Sequence, residues 1–189
     1  MSSTPGGSLK RATVLMSGGI DSAACVRFLK KQSFDVEGIF VDYGQAARVR
    51  EAEACTAVAT YFGIEVHSFS VGGSAPSGAG EIVGRNSLLI GVALFATGGR
   101  TGLVSLGIHA GTPYYDCSRS FIHATARLVA EQTDGRVALY TPFADWSKAD
   151  VYEFFLAERL PLGLTYSCEA GGSGPCGRCA SCLDRLMLT

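Results

Sequence analysis

The 189-residue chain carries no block of like charge. Its 16 basic and 17 acidic residues leave a net charge of −1, and the basic ones come at most as pairs such as Lys10-Arg11 and Lys30-Lys31. No broad electrostatic footprint for a nucleic acid is therefore present. No apolar run approaches the about 20 residues that a membrane-spanning helix needs, and the N-terminus lacks the apolar core of a signal peptide. The chain reads as soluble and cytoplasmic, with small molecules as partners and neither membrane nor nucleic acid among them. Histidine is scarce: His67, His109 and His123 stand singly, and an isolated histidine more often satisfies packing than chemistry. Apolar residues, by contrast, make up 47% of the chain, enough to bury a sizeable core in one domain.

Of seven cysteines, four fall close together near the C-terminus as Cys168-x7-Cys176-x2-Cys179-x2-Cys182. In a cytosolic chain that clustering favours metal over disulfides. Four thiolates at such spacings close a tetrahedral zinc site with bonds of about 2.3 Å and leave no position for substrate, so the site is structural. An iron–sulfur cluster accepts the same ligands. Between Thr165 and Cys182 there is little apolar residue, so metal binding supplies the folding free energy of that segment. Cys25 and Cys55 read as packing residues. Cys117 lies near Asp116 and His123 in sequence, but nothing there sets a base beside the thiol, and a nucleophilic role is not favoured.

Residues 1–9 are turn formers without periodicity and read as a flexible N-terminal arm. After them, apolar strands alternate with helical patterns: strand Ala12–Met16, helix Ser22–Lys31, strand Val36–Asp42, helix Ala46–Phe62, strand Ile64–Val71. Beyond a Gly/Ser/Pro-rich loop, Gly72–Gly80, come helix Asn86–Thr97, strand Leu103–Ile108, helix Ser118–Gln132, strand Val137–Tyr140 and helix Lys148–Leu156. This rhythm predicts a Rossmann-like α/β domain over residues 10–164, a parallel sheet of about five strands with helices on both faces. Residues 165–189 form a small C-terminal four-cysteine zinc segment packed on the same domain. In such sheets the ligand lies beyond the carboxyl ends of the strands.

The first strand ends in Ser17-Gly18-Gly19-Ile20-Asp21-Ser22. Two glycines let backbone N–H groups approach an anion closely, and the serine hydroxyls and a helix N-terminus add donors. Asp21 in such a loop repels phosphate unless a cation lies between them, which points to Mg2+ with ATP. A plain strand-to-helix turn with a serine or aspartate cap is the alternative. Arg85, in Gly84-Arg85-Asn86 just before a helix, is placed to grip a phosphate or carboxylate, or is an exposed arginine beside an Asn cap. Lys148 opens a helix, where a cation opposes the dipole, which hints at an anionic partner. Tyr43 and Gln45 have the chemistry to stack on or hydrogen-bond a planar ring.

Together these segments resemble one family, the 7-cyano-7-deazaguanine synthases (QueC-like) of the PP-loop ATP-pyrophosphatase group, from about Thr13 to Arg185. The marks are Ser17–Ser22, Asp42-Tyr43-Gly44-Gln45, Gly73-Ser74-Ala75, Gly84-Arg85-Asn86, Tyr115-Asp116-Cys117, Thr141-Pro142 with Lys148-Ala149, and Ser167-Cys168 with Cys176 to Cys182. The resemblance implies the PP-loop fold and a homodimer. It also implies a ligase of queuosine biosynthesis that adenylates the carboxylate of 7-carboxy-7-deazaguanine and transfers it to ammonia, giving an amide and then, with a second ATP, a nitrile. ATP, Mg2+ and Zn2+ are its cofactors. Ser17, Asp21, Ser22, Arg85 and Lys148 would be catalytic. Ser17, Gly18, Gly19, Asp21, Ser22, Gly84 and Arg85 would hold the nucleotide, with Phe40 and Tyr43 bordering the adenine. Gln45, Asn86, His109, Tyr115 and Asp116 would face the base. Three departures fall on the acceptor side: His109-Ala110-Gly111-Thr112 replaces an Asn-Ala-x-Asp pattern, Ser118-Arg119-Ser120 replaces Arg-Pro-Glu, and the stretch from Gly73 to Arg85 is short. Conjugation of the same adenylate to another amine, even a protein amine, is thus an alternative. A non-catalytic nucleotide-binding module is a further one.

Overall fold

The computed structural model describes residues 10–73, 80–100 and 102–188. The N-terminal arm over residues 1–9 and the Ser74-Ala75 part of one motif lie outside them. Lys10–Leu15 forms β1, the middle strand of a five-stranded parallel sheet. Its apolar residues are buried because both faces of the sheet are covered, as parallel sheets require. β2 (Phe34–Asp42) and β3 (Val66–Ser70) lie to one side, and β4 (Gly102–Ser105) and β5 (Val137–Tyr140) to the other, in the order β3-β2-β1-β4-β5. Lys10 pairs with Phe34 and Leu15 with Ile39 on one edge of β1, while Ala12 pairs with Leu103 on the other. The order reverses between β1 and β4, which makes the carboxyl end of β1 the switch point where ligands bind in such sheets.

Helices α1 (Ile20–Lys31), α2 (Arg48–Phe62) and α5 (Lys148–Ala157) cover one face. They pack Val26, Leu29, Val58, Val151 and Phe155 against Val14 and Phe40 of the sheet. On the other face, α3 (Arg85–Thr97) and α4 (Arg119–Gln132) set Ile90, Ala93, Phe121 and Val129 against Ile39, Val41 and Val104. Arg27 and Lys31 of α1 both pair with Glu158 just beyond α5, tying two neighbouring helices. Among the described residues no helix is long and apolar enough to cross a membrane.

β4 ends at Ser105 rather than running on to Ile108, since its parallel partner β5 stops at Tyr140 and the chain beyond turns at Thr141. The cysteine segment holds a helix that the sequence reading did not foresee, α6 (Ala180–Leu188). Glu169 holds its start by accepting from the Ser181 backbone N–H and hydroxyl. Arg185 bolts α6 to the preceding stretch through Thr165, Ser167 and the Leu162 carbonyl.

Candidate nucleotide site and metal clasp

Ser17–Gly19 joins β1 to α1 at the switch point. Gly18 takes φ +71°, and a Cβ there would lie 2.6 Å from Ala54 Cβ and 2.8 Å from the Cys55 nitrogen. Only glycine lets the loop press this tightly on α2 in a left-handed conformation. No side chain caps α1 at Gly19, so the first N–H groups of that helix are left for an anion. By contrast, Ser118 caps α4, and Ser147 with Asp150 forms a full capping box on α5. The exposed Ser17 hydroxyl accepts from the Gly19 N–H at 3.4 Å, while the buried Ser22 hydroxyl donates to the Gly19 carbonyl at 3.0 Å.

Lys148 Nζ lies 2.7 and 2.6 Å from the two carboxylate oxygens of Asp21, across 127 residues of chain. The anionic partner implied by a lysine at a helix start is therefore this carboxylate. The pair is a quarter to a third exposed, at the mouth of the loop. The ammonium thus engages both carboxylate oxygens of Asp21.

Around the end of β2 a second set of polar groups converges. Gln45 donates to Val41 O at 3.1 Å and to Glu51 Oε2 at 2.8 Å, and its carbonyl accepts from the Tyr43 N–H. Burial pushes the Tyr43 phenol up, although the Arg85 guanidinium bonds to it. Burial likewise raises the Glu51 carboxyl, against the Gln45 hydrogen bond and the charge of Arg85. No sequence motif singles out Glu51. Its only signal is an acid in the first turns of α2, which is ordinary for a helix. Among the described residues Arg85 makes no ion pair, so its charge remains available to an anion.

Phe40 and Tyr43 do not meet. Phe40 is buried in the α1/α2/α5 core and, with Asp42, floors an open hollow of about 440 Å3 beside α2. Tyr43 packs on the opposite face, with the α3/α4 core. The two rings therefore lie toward opposite faces of the sheet. An odd separation of three residues near a strand end carries that signal, because side chains alternate faces.

Asn86 and Asp116, both buried, hold each other. Asp116 Oδ2 accepts from the Asn86 N–H at 3.1 Å, capping α3 from 30 residues away, and Asn86 Nδ2 donates to the Asp116 carbonyl at 2.9 Å. Tyr115 is exposed beside them. Cys117 is pushed up to about 11 by burial and by Asp116, which leaves it a poor nucleophile. The half-buried His109 ring contacts the Ala110 carbonyl at 2.8 Å through Nδ1, and Ala110 N–H bonds to Trp146 O, joining the ends of β4 and β5.

The sulfur atoms of Cys168, Cys176, Cys179 and Cys182 all lie within 4.8 Å of one another, and those of Cys176 and Cys182 are 3.9 Å apart. Bonds of about 2.3 Å to a single tetrahedral ion require sulfur separations of about 3.8 Å, so the set fits one metal ion. Backbone N–H groups of Arg178 and Cys179 lower the Cys176 thiol, whereas burial raises that of Cys182.

The family described as "Queuosine biosynthesis protein QueC" matches residues 11–75 and 79–187. A 7-cyano-7-deazaguanine synthase from Oceanobacillus iheyensis is 32% identical, covering 94% of this chain and 92% of its own. Another from Synechococcus sp. (strain CC9605) is 34% identical with the same coverage. Among solved structures, the U34-tRNA thiolase NcsA from Methanococcus maripaludis, with its 4Fe-4S cluster, shares the fold at a TM-score of 0.51 and 16% identity. That likeness covers 95% of this chain and 64% of that one. A match across nearly every described residue, together with relatives above 30% identity over more than nine-tenths of both chains, makes this chain a member of the QueC family.

Proposed function

We propose that the chain uses Mg·ATP to adenylate the carboxylate of 7-carboxy-7-deazaguanine or a close relative, and passes the acyl group to ammonia. A carboxylate oxygen attacks the α-phosphorus, and the bond from that phosphorus to the β-phosphate oxygen breaks, releasing pyrophosphate. Ammonia then attacks the acyl carbon, the bond to the AMP oxygen breaks, and the nitrogen gives up a proton to yield the amide. When the product is the nitrile, the amide oxygen attacks the α-phosphorus of a second ATP, again releasing pyrophosphate, and breaking of the C–O bond with departure of AMP and loss of both nitrogen protons leaves the C≡N bond.

One observation carries this reading: the uncapped, glycine-bearing loop Ser17–Ser22 sits at the switch point with Asp21 and Lys148 in contact inside it, in a chain of this family. Ser17, Gly18, Gly19 and Ser22 would take the pyrophosphate, and Asp21 would hold the magnesium. The ion, when bound, neutralises charge on the departing pyrophosphate. Lys148, held at the mouth of the loop by Asp21, adds a positive charge on the side where the phosphates would lie. Arg85, steadied by Tyr43, faces the reacting carboxylate or α-phosphate, and preorganised charge of this kind lowers the barrier without reorganisation cost. Gln45, Asn86, His109, Tyr115 and Asp116 make the base side. Asn86 and Asp116 act there through the shape they hold, since they spend polar atoms on each other. The clasp ion is zinc, which the close sulfur spacing favours over a four-iron cube. The apolar face of α3, with Phe95 84% exposed, suits the homodimer implied by the resemblance.

Incubation with Mg·ATP, 7-carboxy-7-deazaguanine and ammonium, followed by mass spectrometry, tests the reading. AMP with an amide or nitrile is expected; no AMP and no new product overturns it. Transfer to a larger amine, such as a protein amine, is favoured by one feature: Val83, three residues before Asn86, and Tyr115, directly before Asp116, are 89% and 65% exposed, so the surface beside that contact is open. Adenylation without amide, accompanied by a deazaguanine adduct on protein, supports that version.

A further inference from the structure

The metal clasp touches the phosphate loop directly. Tyr166, two residues before Cys168, donates its backbone N–H to the Gly18 carbonyl at 3.0 Å. Gly171, between Cys168 and Cys176, is wedged on the loop that follows β2. It has φ +71°, and a Cβ there would lie 2.1 Å from Ala46 O and 3.1 Å from Ala47 Cα. That same loop leads into α2, whose Glu51 carbonyl and Cys55 nitrogen lie 2.9 and 2.8 Å from the Cβ position of Gly18. The Gly18-Gly19 peptide is thus pinched between α2 and the chain that enters the metal site.

This pinch has a directional consequence. In a trans peptide the carbonyl and the following N–H point opposite ways. With the Gly18 carbonyl anchored to Tyr166, the Gly19 N–H faces the exposed Ser17 hydroxyl, the side open to a phosphate. Two adjacent glycines place almost no steric barrier on rotation of the peptide between them, so the anchor has to come from elsewhere. The clasp contains little apolar surface, and its order depends on the ion that joins its four sulfurs.

We infer that the Tyr166 backbone N–H is a latch that keeps the Gly18-Gly19 peptide in its phosphate-binding orientation, and that metal in the four-cysteine clasp sets the latch. ATP affinity of this chain therefore depends on occupancy of a metal that never touches the nucleotide. The inference rests on the proposed ATP role of the loop and adds a positioning residue, Tyr166, together with a coupling between the two sites.

The test uses the full chain loaded with zinc. Tyr166→Phe keeps the N–H and the ring that packs on the cysteines, losing only the hydroxyl bond to the Gly172 carbonyl, whereas Tyr166→Pro removes the backbone donor. Gly171→Ala lifts the clasp off Ala46 while leaving all four cysteines. Mg·ATP affinity is read by calorimetry, metal content by a colorimetric chelator, and mobility of residues 17–22 by hydrogen exchange. Tyr166→Phe should bind Mg·ATP more tightly than Tyr166→Pro does. Tyr166→Pro and Gly171→Ala should keep one metal per chain yet bind Mg·ATP about tenfold more weakly, the loss of roughly one hydrogen bond. Amide exchange should accelerate in residues 17–22 and not in β1 or α1 beyond them. Chelation of the native protein should reproduce both changes. Unchanged loop exchange in Gly171→Ala and after chelation overturns the inference, as does equal ATP affinity across these forms; should Tyr166→Pro fail to fold, these two arms decide. If the native chain binds no ATP, the proposed function fails, and the exchange arm still judges the latch.

Discussion

Replacing Lys148 by methionine deletes one charge and keeps the length and apolar stem of the side chain. The ammonium makes two short contacts to Asp21, 2.7 and 2.6 Å. A hydrogen bond between charged groups contributes about 1.5–3 kcal/mol when sheltered. Here the partners are 25% and 30% exposed, so screening reduces the pair to about 1–2 kcal/mol in total. For a chain of this length that is a fall in Tm of about 2–8 °C. Nucleotide binding changes more. A lysine lost from a phosphate oxygen forfeits about 1.5–3 kcal/mol of affinity, which is about 10- to 100-fold in Kd. Asp21, freed of its ammonium, should meanwhile bind Mn2+ more readily in the absence of nucleotide. Thermal melting, Mg·ATP calorimetry and Mn2+ paramagnetic resonance read the three effects. If Lys148→Met melts earlier but binds Mg·ATP and Mn2+ as the native protein does, the pair is a structural tie and Lys148 is no phosphate partner.

Glu51→Gln keeps an acceptor for the Gln45 amide and removes a carboxylate that burial penalises. Because the folded Glu51 carboxyl is raised above its ordinary 4.5, its contribution to stability is full below that value and is lost as pH rises through the folded value. The variant should therefore gain in Tm over the native chain at pH 8 and show no such gain at pH 4; an equal difference at both refutes the assignment. Gly18→Ala forces a left-handed φ on alanine and drives a Cβ to within 2.8 Å of the Cys55 nitrogen, at a cost of about 2–4 kcal/mol. Melting should record this loss, and calorimetry should find ATP binding abolished. Asn86→Ala strips the buried Asp116 carbonyl of its donor and should cost about 1–3 kcal/mol. A rise in KM for the base with Tm untouched would instead make Asn86 a direct substrate ligand.

The sheet was legible because its signals are local. Each apolar run bounded by glycine or polar residues became a strand, and the helix over Lys148–Ala157 began where Ser147 and Asp150 announce a capping box. Residues whose work depends on distant partners were not legible. Asp116 caps α3 from 30 positions downstream, and Glu51 matters because Gln45 and Arg85 face it; no periodicity encodes either. The resemblance places Phe40 and Tyr43 beside one ring, whereas packing puts Phe40, on β2, and Tyr43, one residue past its end, in opposite cores.

By itself the sequence determined the glycine loop after the first strand, the four sulfurs of the clasp and the alternation of strand and helix. Each of these rests on short-range chemistry: backbone freedom, ligand type and spacing, and apolar period. Tertiary structure alone decided the strand order that opens the switch point at β1, the pairing of Asp21 with Lys148 across 127 residues, and the seating of Gly171 and Tyr166 on the phosphate loop. Those contacts join segments far apart in the chain, and their energies exist only once packing has brought the partners together.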